Sequence, residues 1–299
     1  MKMYLVGAGY WGSKLLESLK KFDVKATVLD IRNGQSIEDI KTKDPVILAT
    51  PLWQHFEQAK TILDMGNDLY VEKPLAENAN QVREIAYHLD DDDQLLMVGH
   101  IFEHHPQLAL ISKLIDRKEI GDVVHVTSER ANWGIYQTKT DPILSLATHD
   151  ISIITSLVEG KMYVDNAQEW GITNDSQADR VWFSGHIDDV TYTVDVSWHS
   201  PVRRRLTVVQ GTQGQIIWDQ DTNTVTVAKN QIVDRRAVVD PAPHTHAYNA
   251  LYTPLECELM HWVNCCKTRE EPKSGLHRAL KVARIIDAVK FKLGHRTFQ

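Results

Sequence analysis

An α/β fold built on a doubly wound parallel sheet is predicted for the first hundred or so residues by three observations. Short apolar runs recur, amphipathic segments separate them, and the connections between the two are brief. Met3-Tyr4-Leu5-Val6 is the first run, a buried parallel strand. Gly7-Ala8-Gly9-Tyr10-Trp11-Gly12 follows at once, and Leu15, Leu16 and Leu19 then recur at helical spacing. A second strand spans 24–29 and ends at Asp30; a third spans 45–49 and ends at Thr50-Pro51. A helix fits 53–65 and stops at Gly66, a C-terminal cap. Leu69-Tyr70-Val71 is a fourth strand, ending at Glu72-Lys73-Pro74. A helix over 77–89, an acidic loop at 90–93 read as solvated, and a fifth strand at 95–98 complete the pattern.

Composition sets the outer limits. At about 150 residues per domain, a chain of 299 residues suggests two. With 42% hydrophobic and 24% charged residues, it can build real cores without disulfide or metal staples. A formal charge of -7 argues against binding a nucleic-acid backbone, which needs a basic stripe. No apolar run reaches transmembrane length, and glycine follows the first apolar residues too soon for a signal peptide. Three cysteines, two of them adjacent, form neither a disulfide framework nor a metal pair. These features point to a cytoplasmic protein with no membrane partner.

The glycine cluster has the context that a dinucleotide site requires: a strand before it, a helix after it, and an acid eighteen residues beyond Gly12. Gly7 permits the tight turn, Gly9 lets a pyrophosphate approach, and Gly12 lets the helix pack close. The helix N-terminus offers N–H groups to phosphate. Asp30 suits a ribose diol and repels a 2′-phosphate, so NAD is expected over NADP; Arg32 works partly against that preference.

Three motifs then coincide. The GxGxxG is followed by Ala49-Thr50-Pro51 with His55, and by Glu72-Lys73-Pro74. Their order and spacing resemble the Gfo/Idh/MocA oxidoreductases. More narrowly, Ser128-Glu129-Arg130-Ala131-Asn132-Trp133-Gly134 resembles the UDP-N-acetylhexosamine and hexuronate 3-dehydrogenases. So does the seventeen-residue spacing from Asn132 to His149 in Leu144-Ser145-Leu146-Ala147-Thr148-His149-Asp150. Pro254-Leu255-Glu256-Cys257-Glu258, opening a last helix, agrees.

The resemblance implies a Rossmann domain over 1–120 and a substrate-binding and oligomerisation domain over 121–299. The second would be α+β, with an open, mostly antiparallel sheet through which family members form dimers or tetramers. Residues 190–198 support such a strand independently, since apolar and polar side chains alternate there. A hairpin turn fits 187–190.

The implied activity is hydride transfer between nicotinamide and a secondary hydroxyl of a sugar or sugar nucleotide. Lys73 would bind the reacting hydroxyl and shuttle its proton, with His149 as a second acceptor. Gly7, Gly9, Tyr10, Trp11, Gly12, Asp30, Ile31, Thr50, Pro51, His55, Glu72 and Lys73 would line the cofactor site, and Arg130, Asn132 and Asp150 the substrate. The chain departs from the family where Ser145 replaces an aspartate, Leu144 a tryptophan and Thr148 a proline, and where Gln137 replaces an arginine of the sugar-nucleotide members. These departures keep two alternatives open: a polyol or free-sugar dehydrogenase of the inositol type, and a non-catalytic NAD sensor. His100, His104 and His105 lack a matching Cys/His set, so no metal is expected. Arg203-Arg204-Arg205 is read as an edge-strand charge cluster, with phosphate binding as the other option.

Overall fold

The computed structural model describes residues 1–90, 94–133, 140–171, 178–233, 236–239, 242–247 and 251–295. Among these are the helices α1 (Tyr10–Lys20), α2 (Leu52–Asp64), α3 (Ala79–Ala86), α4 (Pro106–Asp116), α5 (Thr148–Leu157), α6 (Pro254–Thr268) and α7 (Leu276–Lys292). None is long and apolar enough to cross a membrane. The described residues divide into two compact units, 1–105 with 252–284, and 106–251 with 285–295.

The first unit is a five-stranded parallel sheet. Its strands are β1 (Lys2–Val6), β2 (Lys25–Leu29), β3 (Val46–Leu48), β4 (Leu69–Glu72) and β5 (Leu96–Gly99), in the order β2-β1-β3-β4-β5. The alternation of side chains along β1 builds both cores. Tyr4 and Val6 join Ile62 of α2, Val82 of α3 and Ala279 of α7 on one face. Met3 and Leu5 join Leu15 and Leu19 of α1 and Leu259 and Trp262 of α6 on the other. Each large apolar side chain so buried contributes about 1.5–3 kcal/mol.

Helix α6, far along the chain, packs on the first unit's sheet. Thr253 and Glu256 cap its start reciprocally, with Pro254 at the first turn. Its apolar face, Leu259, Trp262, Val263 and Cys265, fills the sheet face beside α1.

The second unit holds a nine-stranded sheet. Its strands are β6 (Val123–Trp133), β7 (Met162–Trp170), β8 (Arg180–Ile187), β9 (Val190–Ser197), β10 (His199–Gly211), β11 (Gly214–Asp219), β12 (Thr224–Val233), β13 (Arg236–Val239) and β14 (His244–Ala247). The order is β13-β12-β11-β10-β6-β9-β8-β7, with β14 on β12; among the described residues only β6 and β9 run parallel. The expected alternation in β9 is realised, with Tyr192, Val194 and Val196 buried and Thr191, Thr193 and Asp195 not. Asp188, at φ 48°, turns the chain from β8 into β9. Ile111 of α4 and Ile151 and Ile154 of α5 are fully buried in this unit.

Arg203, Arg204 and Arg205 are not on an edge strand: β10 lies between β11 and β6. Arg203 and Arg204 pair instead with Asp221 at 2.7 Å and Glu129 at 3.2 Å. The acids 91–93 lie outside the described residues.

Candidate functional site

The glycine turn occupies the carboxyl end of β1, where ligands of open parallel sheets bind. Gly7 has φ +90°, and a Cβ there would sit 2.8 Å from the Ala49 carbonyl oxygen. A Cβ on Gly12 would sit 2.0 Å from the Gly7 oxygen. Gly9 is different: its Cβ position faces open space. Two glycines are thus demanded by the protein's own packing, and the third leaves room outside it. Gly9 is also the N-cap of α1, and no side chain caps the helix there. Its first-turn amides and positive dipole end are directed at the same opening.

That opening is a cavity of about 340 Å³ lined by Gly7, Gly9, Tyr10, Trp11, Asp30, Ile31, Arg32, Thr50 and Pro51 among others. Tyr10 and Ile31 are each 79% exposed at its rim. Such large apolar exposure suits a flat ligand more than solvent. Asp30 is buried, and its carboxylate accepts from the Ala8 amide at 2.7 Å and from the Arg32 amide at 2.9 Å. The Arg32 guanidinium adds bonds of 2.8 and 2.7 Å. Led by the Arg32 side chain, these donors hold Asp30 well below the usual carboxylate range. A ribose diol reaching Asp30 would share or displace Arg32, which also donates to the Ala8 carbonyl at 2.7 Å.

His55 lies between two of the strand-end loops. It is buried, its Nε2 against the Thr50 carbonyl at 2.8 Å and its Nδ1 against the Pro74 carbonyl at 2.9 Å. One ring thus clamps the two loops that carry the Thr50-Pro51 and Glu72-Lys73-Pro74 motifs. Glu72, at the end of β4, is buried and accepts a hydrogen bond from the Trp11 indole. Lys73 is half-buried beside it, and the Lys73–Pro74 peptide is cis.

In the second unit, Arg130 and Asp150 engage each other. Arg130 is 5% and Asp150 0% exposed at the side chain, with bonds of 3.0 Å from Nε to Oδ2 and from Nη2 to Oδ1. Ser128 adds a donor to Asp150 at 2.8 Å. The pair joins β6 to α5, and neither group faces solvent. Asn132, two residues along β6, keeps a buried Oδ1 with no partner among the described residues. His149 is half-buried at the start of α5.

Ser145 accepts from the Trp198 indole at 3.1 Å. The neighbouring carboxylates have partners of their own. Asp150 serves Arg130, and Asp141 accepts from the Leu144 amide at 2.7 Å and pairs with Lys290 at 3.2 Å. Gly134 and Gln137 lie outside the described residues.

One feature lay beyond the reach of motif reading. Trp133, 71% exposed at the end of β6, stacks on His199 with ring centroids 5.1 Å apart. His199 in turn lies 3.7 Å from the buried Asp179. Cross-strand pairing of β6 and β10 makes this aromatic shelf, and no spacing within one segment signals it. His100 and His105 are buried and His104 is half-buried, and desolvation lowers them to about 3, 4 and 3 respectively, keeping all three neutral. Among the described residues no group of three or more His, Cys, Asp or Glu could hold a metal ion.

Residues 20–100 match the model of an oxidoreductase family with an NAD-binding Rossmann fold, GFO_IDH_MocA. A 2,7-anhydro-N-acetylneuraminate hydratase of Mediterraneibacter gnavus is 25% identical over 245 residues, 71% of this chain and 65% of that protein. The chain thus spans slightly less than two thirds of that relative. The UDP-N-acetylglucosamine 3-dehydrogenase GnnA of Acidithiobacillus ferrooxidans has a similar structure, with a TM-score of 0.81 at 16% identity, over 98% of this chain and 97% of that one. A levoglucosan dehydrogenase solved with NADH and levoglucosan also has a TM-score of 0.81, at 17% identity over 98% and 97%. At these identities the likeness to the two structures is one of fold.

Proposed function

We propose, from the premise that this chain carries the NAD-binding fold of the Gfo/Idh/MocA oxidoreductases, that it transfers a hydride between NAD and a secondary hydroxyl of a sugar or sugar nucleotide. The observation that carries this reading is the cavity at the α1 N-terminus, where Gly9 leaves open space beside uncapped amides and the Asp30 carboxylate. These groups fit a dinucleotide: the amides would take its pyrophosphate, Asp30 its ribose, and Tyr10 and Ile31 its flat rings. When bound, the nicotinamide supplies the hydride acceptor or donor.

Lys73 holds the reacting hydroxyl and takes its proton, with His149 as the second proton acceptor. Glu72 orients Lys73 from the adjoining position. Asn132 offers substrate the unused bonding capacity of its Oδ1, while the Arg130–Asp150 pair fixes the strand that presents it. The exposed Trp133 ring supplies a flat apolar surface of the kind that the C–H face of a sugar covers. Assembly as a dimer or tetramer through the open face of the second sheet belongs to the same reading.

Purified protein with NAD and a panel of UDP-sugars, free sugars and inositols tests this directly. NADH should accumulate with at least one sugar, and Lys73→Met should abolish it. Turnover with inositols or free sugars alone would favour the polyol reading. Substrate conversion without net NADH would align the chain with the hydratase relative. NADH binding with no turnover on any compound would favour a sensor, a role in which Lys73 has no task.

A further inference from the structure

Two buried glutamates share one tyrosine in the first unit. Tyr70, fully buried on β4, places its hydroxyl 3.2 Å from Glu72 Oε1 and 3.0 Å from Glu258 Oε2 of α6. A tyrosine hydroxyl carries one proton and can donate only once. Were both carboxylates ionised, one would face a lone pair across that contact, and two buried anions would flank a single neutral group.

The surroundings decide which acid is neutral. Glu72 has the donors and the cation: the Trp11 indole bonds its Oε1, and Lys73 follows it in the chain. Glu258 has neither. Its Oε1 is buried with no partner among the described residues, and the other charged side chain acting on it besides Glu72 is a third acid, Glu103, which pairs with Arg278 at 3.2 Å. An orphan carbonyl oxygen is far easier to bury than an orphan half of a carboxylate.

We propose that Glu258 is held as a neutral acid whose O–H donates to Tyr70, that Tyr70 donates onward to an ionised Glu72, and that this chain of bonds positions Glu72 against Trp11 and Lys73. Every donor then meets an acceptor: Glu258 to Tyr70, Tyr70 to Glu72, Trp11 to Glu72. Strand β5 is shaped around the arrangement. Gly99 pairs with Glu72 across the sheet, and a Cβ there would lie 2.6 Å from the Tyr70 hydroxyl and 3.2 Å from Glu72 Oε2. Burial raises both acids. For Glu72 the bonds from Trp11 and the charge of Lys73 oppose the rise, leaving it at about 7; Glu258, beside Glu72 and Glu103, goes well above its ordinary range. Tyr70 and Glu258 are thus positioning residues. They join the first turn of the glycine-rich helix to the strand end that carries Lys73, and their functional weight rests on the dehydrogenase reading above.

The protonation state is measurable without activity. Infrared spectra of the folded protein, taken well above the value of about 7 to which Glu72 is raised, should show the carbonyl stretch of a protonated carboxylic acid. Glu258→Gln should remove that band, Glu72→Gln should leave it, and Tyr70→Phe, which keeps both acids, should shift it. Loss of the band in Glu72→Gln rather than Glu258→Gln, or no band at all, would overturn the assignment. Stability against pH gives a second readout. A neutral Glu258 in the fold loses stability as pH rises through the unfolded glutamate pKa of about 4.3. The stability of Glu258→Gln relative to wild type should therefore climb from that pH upward, and a flat difference would contradict the proposal. For function, Glu258→Gln, whose amide still donates to Tyr70, should bind NADH within about twofold of wild type, whereas Tyr70→Phe should bind it at least fivefold more weakly. Equal losses in the two variants would reject the positioning role even if the infrared band behaves as stated; a normal band pattern with no turnover on any sugar would reject the dehydrogenase reading instead.

Discussion

Two of the aspartate–arginine pairs, one in each unit, have similar geometry and opposite settings. In the first unit, Asp30 and Arg32 are bonded at 2.7 Å, with the arginine side chain 67% exposed at the rim of a cavity. In the second, Asp150 and Arg130 are bonded at 3.0 Å, with 0% and 5% exposure. Solvent and ligand can compete for Arg32, and nothing outside the protein can compete for Arg130. The same two residue types therefore make a replaceable contact in one unit and a lock in the other. An arginine in a motif is not a substrate contact until its burial is known.

The largest effect should come from breaking the lock. Asp150→Ala leaves a guanidinium buried without its partner and should lower unfolding free energy by about 3–5 kcal/mol. Urea denaturation measures it, and the Arg130→Met, Asp150→Leu double variant should lose much less. If the single variant loses only about 1 kcal/mol or less, as an exposed pair would, the two pairs are not the different things their burial implies.

Next comes the backbone of the cofactor turn. Gly12→Ala drives a methyl into the Gly7 carbonyl 2.0 Å away. NADH affinity, read by fluorescence, should fall by at least about tenfold. An unchanged affinity would show that the turn can open without loss of the site.

Arg32→Ala sharpens the comparison at its exposed end. It should barely move the urea midpoint, but it frees Asp30 for a ribose diol and removes the cation nearest a 2′-phosphate. NADH binding should hold or tighten while NADPH binding weakens. The reverse change would mean that Asp30 does not read the ribose.

The smallest effect is the acid dependence of that exposed pair. Asp30 is held below its unfolded value of about 3.9, chiefly by Arg32. Its stabilisation is present above that pH and is lost as pH falls. Wild type and Arg32→Ala should therefore converge in stability below about pH 4, in thermal melts across an acid series.

Much of the first unit was legible in advance. The runs at 3–6, 45–49, 69–71 and 95–98 fall on strands, because a parallel sheet covered on both faces requires consecutive apolar residues, while 24–29 falls on the edge strand β2, where Lys25 and Thr27 are exposed. Gly7 and Gly12 were legible because local backbone geometry fixes their need. Other site features were less so. His55 sat in a motif, yet its clamp joins loops whose positions follow from β3 and β4 pairing side by side. The Trp133–His199 shelf depends on the pairing of β6 with β10, and Tyr70–Glu258 joins residues 188 positions apart.

By itself the sequence determined the strand–helix alternation, the glycine turn and the identity of the residues at the strand ends, since these rest on short-range periodicity and sterics. Only the tertiary structure decided which charges are exposed and which are sealed, that α6 returns to the first sheet, and that Glu258 meets Tyr70. The physical reason is that burial and long-range pairing set the dielectric surroundings and partners of a side chain, and neither is written in the residues beside it.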